Sequence, residues 1–95
     1  MKIKDLRFTT DARMIVADPL ASDFFDIVKD TGLTLSALQI VELVHARSGT
    51  KLVWLIRNKT GVTVRVGGPT GALVTILSSA IPVPVISDGV DFSTL

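Results

Sequence analysis

Between Val66 and Ser87 the chain carries no Asp, Glu, Lys or Arg, an uncharged run of 22 positions in a protein of 95 residues. Such a run invites a membrane span, which needs about 20 consecutive, mostly apolar residues in a helix. Gly67, Gly68, Pro69, Gly71, Pro82 and Pro84 break it, leaving only 72–86 as an apolar-rich stretch. The run therefore predicts two strands, roughly 72–78 and 83–87, joined through Ser78, Ser79 and Ala80, and no membrane span.

The rest of the chain is oily too. Apolar residues make up 47% and charged residues 20%, and the mean hydropathy is +0.52. Area scaling for one domain of this mass gives a folded surface of roughly 5,300 Å² against about 15,000 Å² unfolded, so about 64% of the surface can be hidden. That excludes intrinsic disorder and predicts apolar surface left for a partner. The absence of cysteine excludes a disulfide framework. The mixed charges of Met1–Arg7 lack the apolar core of a secretory signal.

Local patterns predict a single domain of α+β class, a small, mostly antiparallel sheet packed with one or two helices. Residues 2–8 and 13–17 fit short strands that could pair. Asp18 as cap and Pro19 in the first turn predict an amphipathic helix over about 19–31. Its apolar side holds Leu20, Ala21, Phe24, Phe25, Ile27 and Val28; Asp23, Asp26 and Asp30 lie on the solvated side, and Gly32 ends it. Ser36 and Gln39 have capping-box spacing, predicting a second helix over 36–47. The strand alternative there would set Glu42 among Leu38, Ile40 and Val44. Residues 51–66 fit a β-hairpin turning at Asn58-Lys59-Thr60-Gly61. One of its faces is wholly apolar (Leu52, Trp54, Ile56, Val62, Val64, Val66), and the other mixes Val53 and Leu55 with cations. The tail, 88–95, is expected to be an arm with the apolar anchors Phe92 and Leu95.

No catalytic, metal or cofactor site emerges. His45 is the only histidine and has no nucleophile motif beside it. Asp23, Asp26 and Asp30 share their strip with Ser22 and Lys29, as a solvated face does. Scattered acids and one histidine do not make a metal-ligand set. Val66-Gly67-Gly68-Pro69-Thr70-Gly71 lacks the Lys-Ser/Thr pair of a phosphate loop and is expected to be a turn between strands.

The net charge of +1 conceals segregation. Residues 1–42 are acidic on balance, whereas 43–87 hold no acid and carry Arg47, Lys51, Arg57, Lys59 and Arg65. These five are the candidate contacts to an anionic partner. Together with Ile27–Val41, where Gly32 sits between two apolar-periodic segments, this basic hairpin resembles a winged-helix module over roughly 18–66. The resemblance implies DNA binding, with Ser36, Gln39 and Arg47 at bases and Arg57, Lys59 and Arg65 at phosphates, and a dimer formed through the C-terminal strands. Against it, the reading helix would contain Glu42, Leu43 and Val44 with one cation at its end, and the chain is nearly neutral. DNA affinity comes largely from neutralised phosphates.

The apolar surplus favours a different expectation: a non-enzymatic structural or assembly subunit of a homo-oligomer or larger particle. Its interface would draw on Val53 and Leu55, then Leu73, Val74, Ile76, Leu77, Ile81, Val83 and Val85, and finally Phe92 and Leu95. Its partners would be further copies of itself and another structural protein. By analogy of size and composition it suits a phage virion accessory piece (capsid decoration, connector or tail component), located in a virion or a bacterial cytoplasm.

Overall fold

The computed structural model describes residues 2–36, 38–43 and 52–94, the side chain of Leu52 excepted. Every regular element among them is a strand, nine in all. Strands β1 (Ile3–Phe8), β3 (Phe24–Lys29), β5 (Leu52–Asn58), β8 (Val83–Ser87) and β9 (Phe92–Thr94) form a five-stranded sheet in the order β1-β3-β5-β8-β9. Strands β2 (Met14–Ala17), β4 (Gln39–Leu43), β6 (Val64–Gly67) and β7 (Val74–Ile76) form a four-stranded sheet in that order. The chain thus crosses between sheets at each step from β1 to β6. Within each sheet these successive strands stack in parallel, β1 on β3 on β5 and β2 on β4 on β6. The last strands, β7, β8 and β9, add on antiparallel.

One apolar core joins the sheets. The first contributes Leu6, Phe8, Phe25, Ile27, Trp54, Ile56 and Val85; the second contributes Val41, Leu43, Val64, Val66, Val74 and Ile76. The Trp54 indole N–H donates to the Pro19 carbonyl at 2.8 Å, giving the buried ring the partner its polar edge requires.

The α+β expectation is overturned: the described chain is all-β. The segment expected as a helix over 19–31 holds β3. Phe24, Phe25, Asp26 and Ile27 are all buried: Phe25 and Ile27 lie in the core, while on the outer face Arg57 of the neighbouring strand lies over Phe24 and grips Asp26. A run of aromatic and β-branched residues satisfies helix and strand templates alike over so few positions. The presumed cap opens a turn instead. Asp18 Oδ1 accepts from Leu20 N at 2.9 Å, and the Asp18 carbonyl accepts from Ala21 N at 3.1 Å. Aspartate first and proline second suit such a turn.

The helix expected over 36–47 is strand β4 at 39–43; residues 44–47 lie outside the described part. Gln39, Val41 and Leu43 point inward, and Ile40 and Glu42 are half-exposed, so Glu42 sits on the outer face and no carboxylate enters the core. Ser36 and Gln39 converge on Asp11 rather than on a helix end. Asp11 accepts from Ser36 N at 2.9 Å and from Ser36 Oγ at 2.7 Å. Gln39 Nε2 donates to Asp11 Oδ1 at 3.0 Å and also to the Ala12 carbonyl.

The segment 51–66 is not a hairpin. Its two strands belong to different sheets, and Asn58–Gly61 is the corner between them. The alternation is as expected, with Trp54, Ile56, Val64 and Val66 buried and Val53 exposed. The first two strands do not pair with each other, and β7 and β8 also lie in separate sheets. The glycine-rich stretch is a turn, linking the antiparallel pair β6 and β7.

Candidate interaction surfaces

The outer face of the five-stranded sheet follows from its register. Ile3, Phe24, Leu55 and Pro84 are cross-strand neighbours in one row. Val53 and Ile86 form the next row. Ile3 is 46% exposed and Val53 51%; Leu55, Pro84 and Ile86 are half-buried. Two adjacent apolar rows therefore face outward.

On the other side of the first row lies a charged one, Asp5, Asp26 and Arg57. Asp26 is only 5% exposed, and Arg57 grips it bidentately through Nε and Nη2, both at 2.7 Å. The Lys59 ammonium stands 4.0 Å from the same carboxylate. These bonds to Asp26 hold the Arg57 guanidinium above its ordinary pKa, and its carbon lies 5.3 Å from the Phe24 ring centroid. A cation over an aromatic face is favourable; here it also roofs Phe24.

Beyond this row opens a cleft of about 510 Å³ lined by Arg57, Asn58, Lys59, Ser78, Ser79 and Ala80. Its floor is rigid because Asn58 is fully engaged. Asn58 Nδ2 donates to the carbonyls of Val62 at 2.7 Å and Ile76 at 2.9 Å. Its Oδ1 accepts from Thr60 N at 3.0 Å and Thr60 Oγ1 at 2.7 Å. Leu77 and Ile81, which flank Ser78–Ala80 in the chain, are 68% and 73% exposed.

A second, smaller cleft of about 270 Å³ is lined by Ile86, Ser87, Asp88, Asp91 and Ser93. Asp88 Oδ1 accepts from the backbone N–H of Asp91 and of Val90, each at 2.9 Å. These bonds hold the Asp88 carboxyl below its ordinary value.

The eleven expected interface residues separate into groups. Val53, Leu55, Leu77 and Ile81 lie at the surface as described. Val74, Ile76, Val85 and Phe92 belong to the protein's own core. Val83 packs against that core, and Leu73 lies where a Cβ on Gly67 would fall. Leu95 is outside the described residues. The tail is a strand on its own sheet, with Phe92 stacked on Trp54 at 5.7 Å between centroids.

Among the five cations, Arg57 and Lys59 meet at the cleft. Arg65 lies in the other sheet, beside Ile40 and Thr75, and donates to the Leu38 carbonyl at 3.3 Å. Arg47, Lys51 and His45 are outside the described residues. The winged-helix resemblance finds no helix among the described residues of 18–66: Ser36 is in a loop and Gln39 is buried in β4.

Sequence reasoning missed Asp26, Ile3, Phe24, Pro84 and Ile86. A lone acid inside Phe-Phe-Asp-Ile-Val was the available signal for Asp26, since a buried carboxylate demands a cation.

Among the described residues no three His, Asp or Glu side chains gather to hold a metal ion, and no helix is long and apolar enough to cross a membrane. No protein-family model matches the chain, and neither the curated proteins nor the solved structures include a match.

Proposed function

We propose that this chain is a non-enzymatic structural subunit that assembles with further copies of itself through the outer face of its five-stranded sheet. One observation carries the proposal: the adjacent apolar rows Ile3–Phe24–Leu55–Pro84 and Val53–Ile86 face outward. Contiguous apolar patches beyond a few hundred Å² are rare on soluble monomers and mark interaction surfaces. The charged row Asp5–Asp26–Arg57 borders the patch and supplies the polar rim typical of an interface. A virion decoration, connector or tail piece remains the analogy drawn from size and composition, and the mass of the complex that carries the chain would test it.

Light scattering over a concentration series tests the proposal. The chain as it stands should sediment and scatter as a multimer. Val53→Asp, a change at an exposed position, should reduce the particle mass while leaving the melting temperature of the subunit within a few degrees. A monomer at high concentration, or a Val53→Asp protein of unchanged mass, would refute it.

A further inference from the structure

The parallel strands carry antiparallel additions at one end only. β7 covers β6, and β8 with β9 covers β5. Among the described residues the five-stranded sheet ends in β1 and β9 and the four-stranded sheet in β2 and β7; of these edges, β1 carries the self-complementary charges Asp5 and Arg7. Open edges are templates for pairing with another chain.

The direction of the open groups on β1 can be derived. The Phe8 carbonyl accepts from Asp30 N at 3.0 Å, so the backbone groups of Lys4, Leu6 and Phe8 turn toward β3. In a parallel ladder the alternate residues turn away. Ile3, Asp5 and Arg7 therefore present both N–H and C=O at the edge.

We infer that β1 pairs antiparallel with β1 of a second copy, in the register that sets Asp5 opposite the partner's Arg7 and Leu6 opposite the partner's Leu6. The open backbone groups of Asp5 and Arg7 then exchange hydrogen bonds across a two-fold axis. Each Asp5 carboxylate meets an opposing guanidinium on the same face, and opposite charges set directly across a pair are favourable.

Charges select this register. A shift by one step that keeps the faces aligned sets Asp5 against Asp5 in one direction and Arg7 against Arg7 in the other, and like charges directly opposed are destabilising. Charges on an edge ordinarily keep it solitary; these complement themselves in one alignment. Asp5 and Arg7 are exposed and 3.9 Å apart within the chain; Arg7 Nη1 meets Asp30 Oδ1 and the Lys29 carbonyl, each at 3.3 Å, and the remaining guanidinium donors are open to a partner's carboxylate.

The result is a closed, isologous dimer in which two five-stranded sheets become one. Its two-fold axis runs through the sheet, so the apolar outer faces of both copies lie on the same side as one doubled surface. The inference rests on the self-association reading in naming a second copy as partner, but it uses a different contact.

The chain contains no cysteine, which permits a direct test. Asp5→Cys and Arg7→Cys are made as separate proteins of distinguishable mass, mixed in equal amounts and mildly oxidised. Opposed residues that exchange backbone bonds stand about 5.5 Å apart at Cα, inside the roughly 4.4–6.8 Å that a disulfide spans.

The mixed disulfide should exceed both homodimers several-fold, because only that pair brings the two sulfurs together while the second Asp5–Arg7 contact survives. A mixed product at or below the share of random pairing, or an excess of the Asp5→Cys homodimer, would overturn the register and the inference with it. The same mixing in a Val53→Asp background should give the same excess. Loss of the sheet-face assembly with the cross-link retained would therefore separate failure of the proposed function from failure of this edge contact.

Discussion

Replacing Asn58 by alanine removes four hydrogen bonds at once: two donated to the Val62 and Ile76 carbonyls and two accepted from Thr60. Asn58 is 1% exposed, so water does not replace them. At a net contribution of about 1 kcal/mol each, the loss is about 4 kcal/mol. Thr60 Oγ1 already reaches the Val62 carbonyl at 3.1 Å, which offsets part of it and sets the expectation at about 3 kcal/mol. A chain of this length has a total stability of roughly 5–14 kcal/mol. With a urea slope of about 2 kcal/mol/M, the unfolding midpoint should fall by about 1.5 M at unchanged slope. Asn58→Asp sharpens the test. The introduced carboxylate keeps the acceptor for Thr60 but faces two carbonyl oxygens, so its folded-state pKa is raised. Protonation then restores one donor, and the deficit of this variant should shrink as pH falls below that raised value and grow as pH rises through it. A midpoint shift under about 0.5 M for Asn58→Ala, read with that slope, would refute the assignment of this residue as the pin of the β5–β6 corner.

Two further outcomes follow from local geometry. The bonds from the backbone N–H and then the hydroxyl of Ser36 hold the Asp11 carboxyl below its ordinary value of 3.8. That contribution is complete above the ordinary value and is lost as pH falls through the lower, folded one. Asp11→Asn should therefore melt below the parent at neutral pH, and the gap should narrow as thermal melts are repeated from pH 4 downward. Gly71 has a φ of +86°, and a Cβ there would strike the Val90 carbonyl oxygen. Gly71→Ala should cost about 2 kcal/mol, which corresponds to roughly 10 °C in a domain of this size. Trp54 fluorescence should shift as Phe92 loosens from it.

What the sequence alone determined is what depends on neighbours within a few residues. The two-residue alternation through β5 correctly sent Trp54 and Ile56 inward and Val53 and Leu55 outward, because a strand's faces are set by its own pleat. The strands at 83–87 and near both N-terminal sites, the left-handed Gly61 and the glycine-rich connection were legible from local pattern, whereas the hairpin expected around Gly61 is a corner between sheets. Tertiary structure decided the rest. Asp18-Pro19 and Phe24–Val28 satisfy a helix locally, and only hydrogen-bonded pairing with the strands on either side of β3, 21 and 31 positions away by register, makes it a strand. The same distant partners seat Asp26 under Arg57 and draw Ser36 and Gln39 onto Asp11. Local periodicity carries no information about which strand will lie alongside, and in a sheet of parallel strands every such neighbour is remote in the chain.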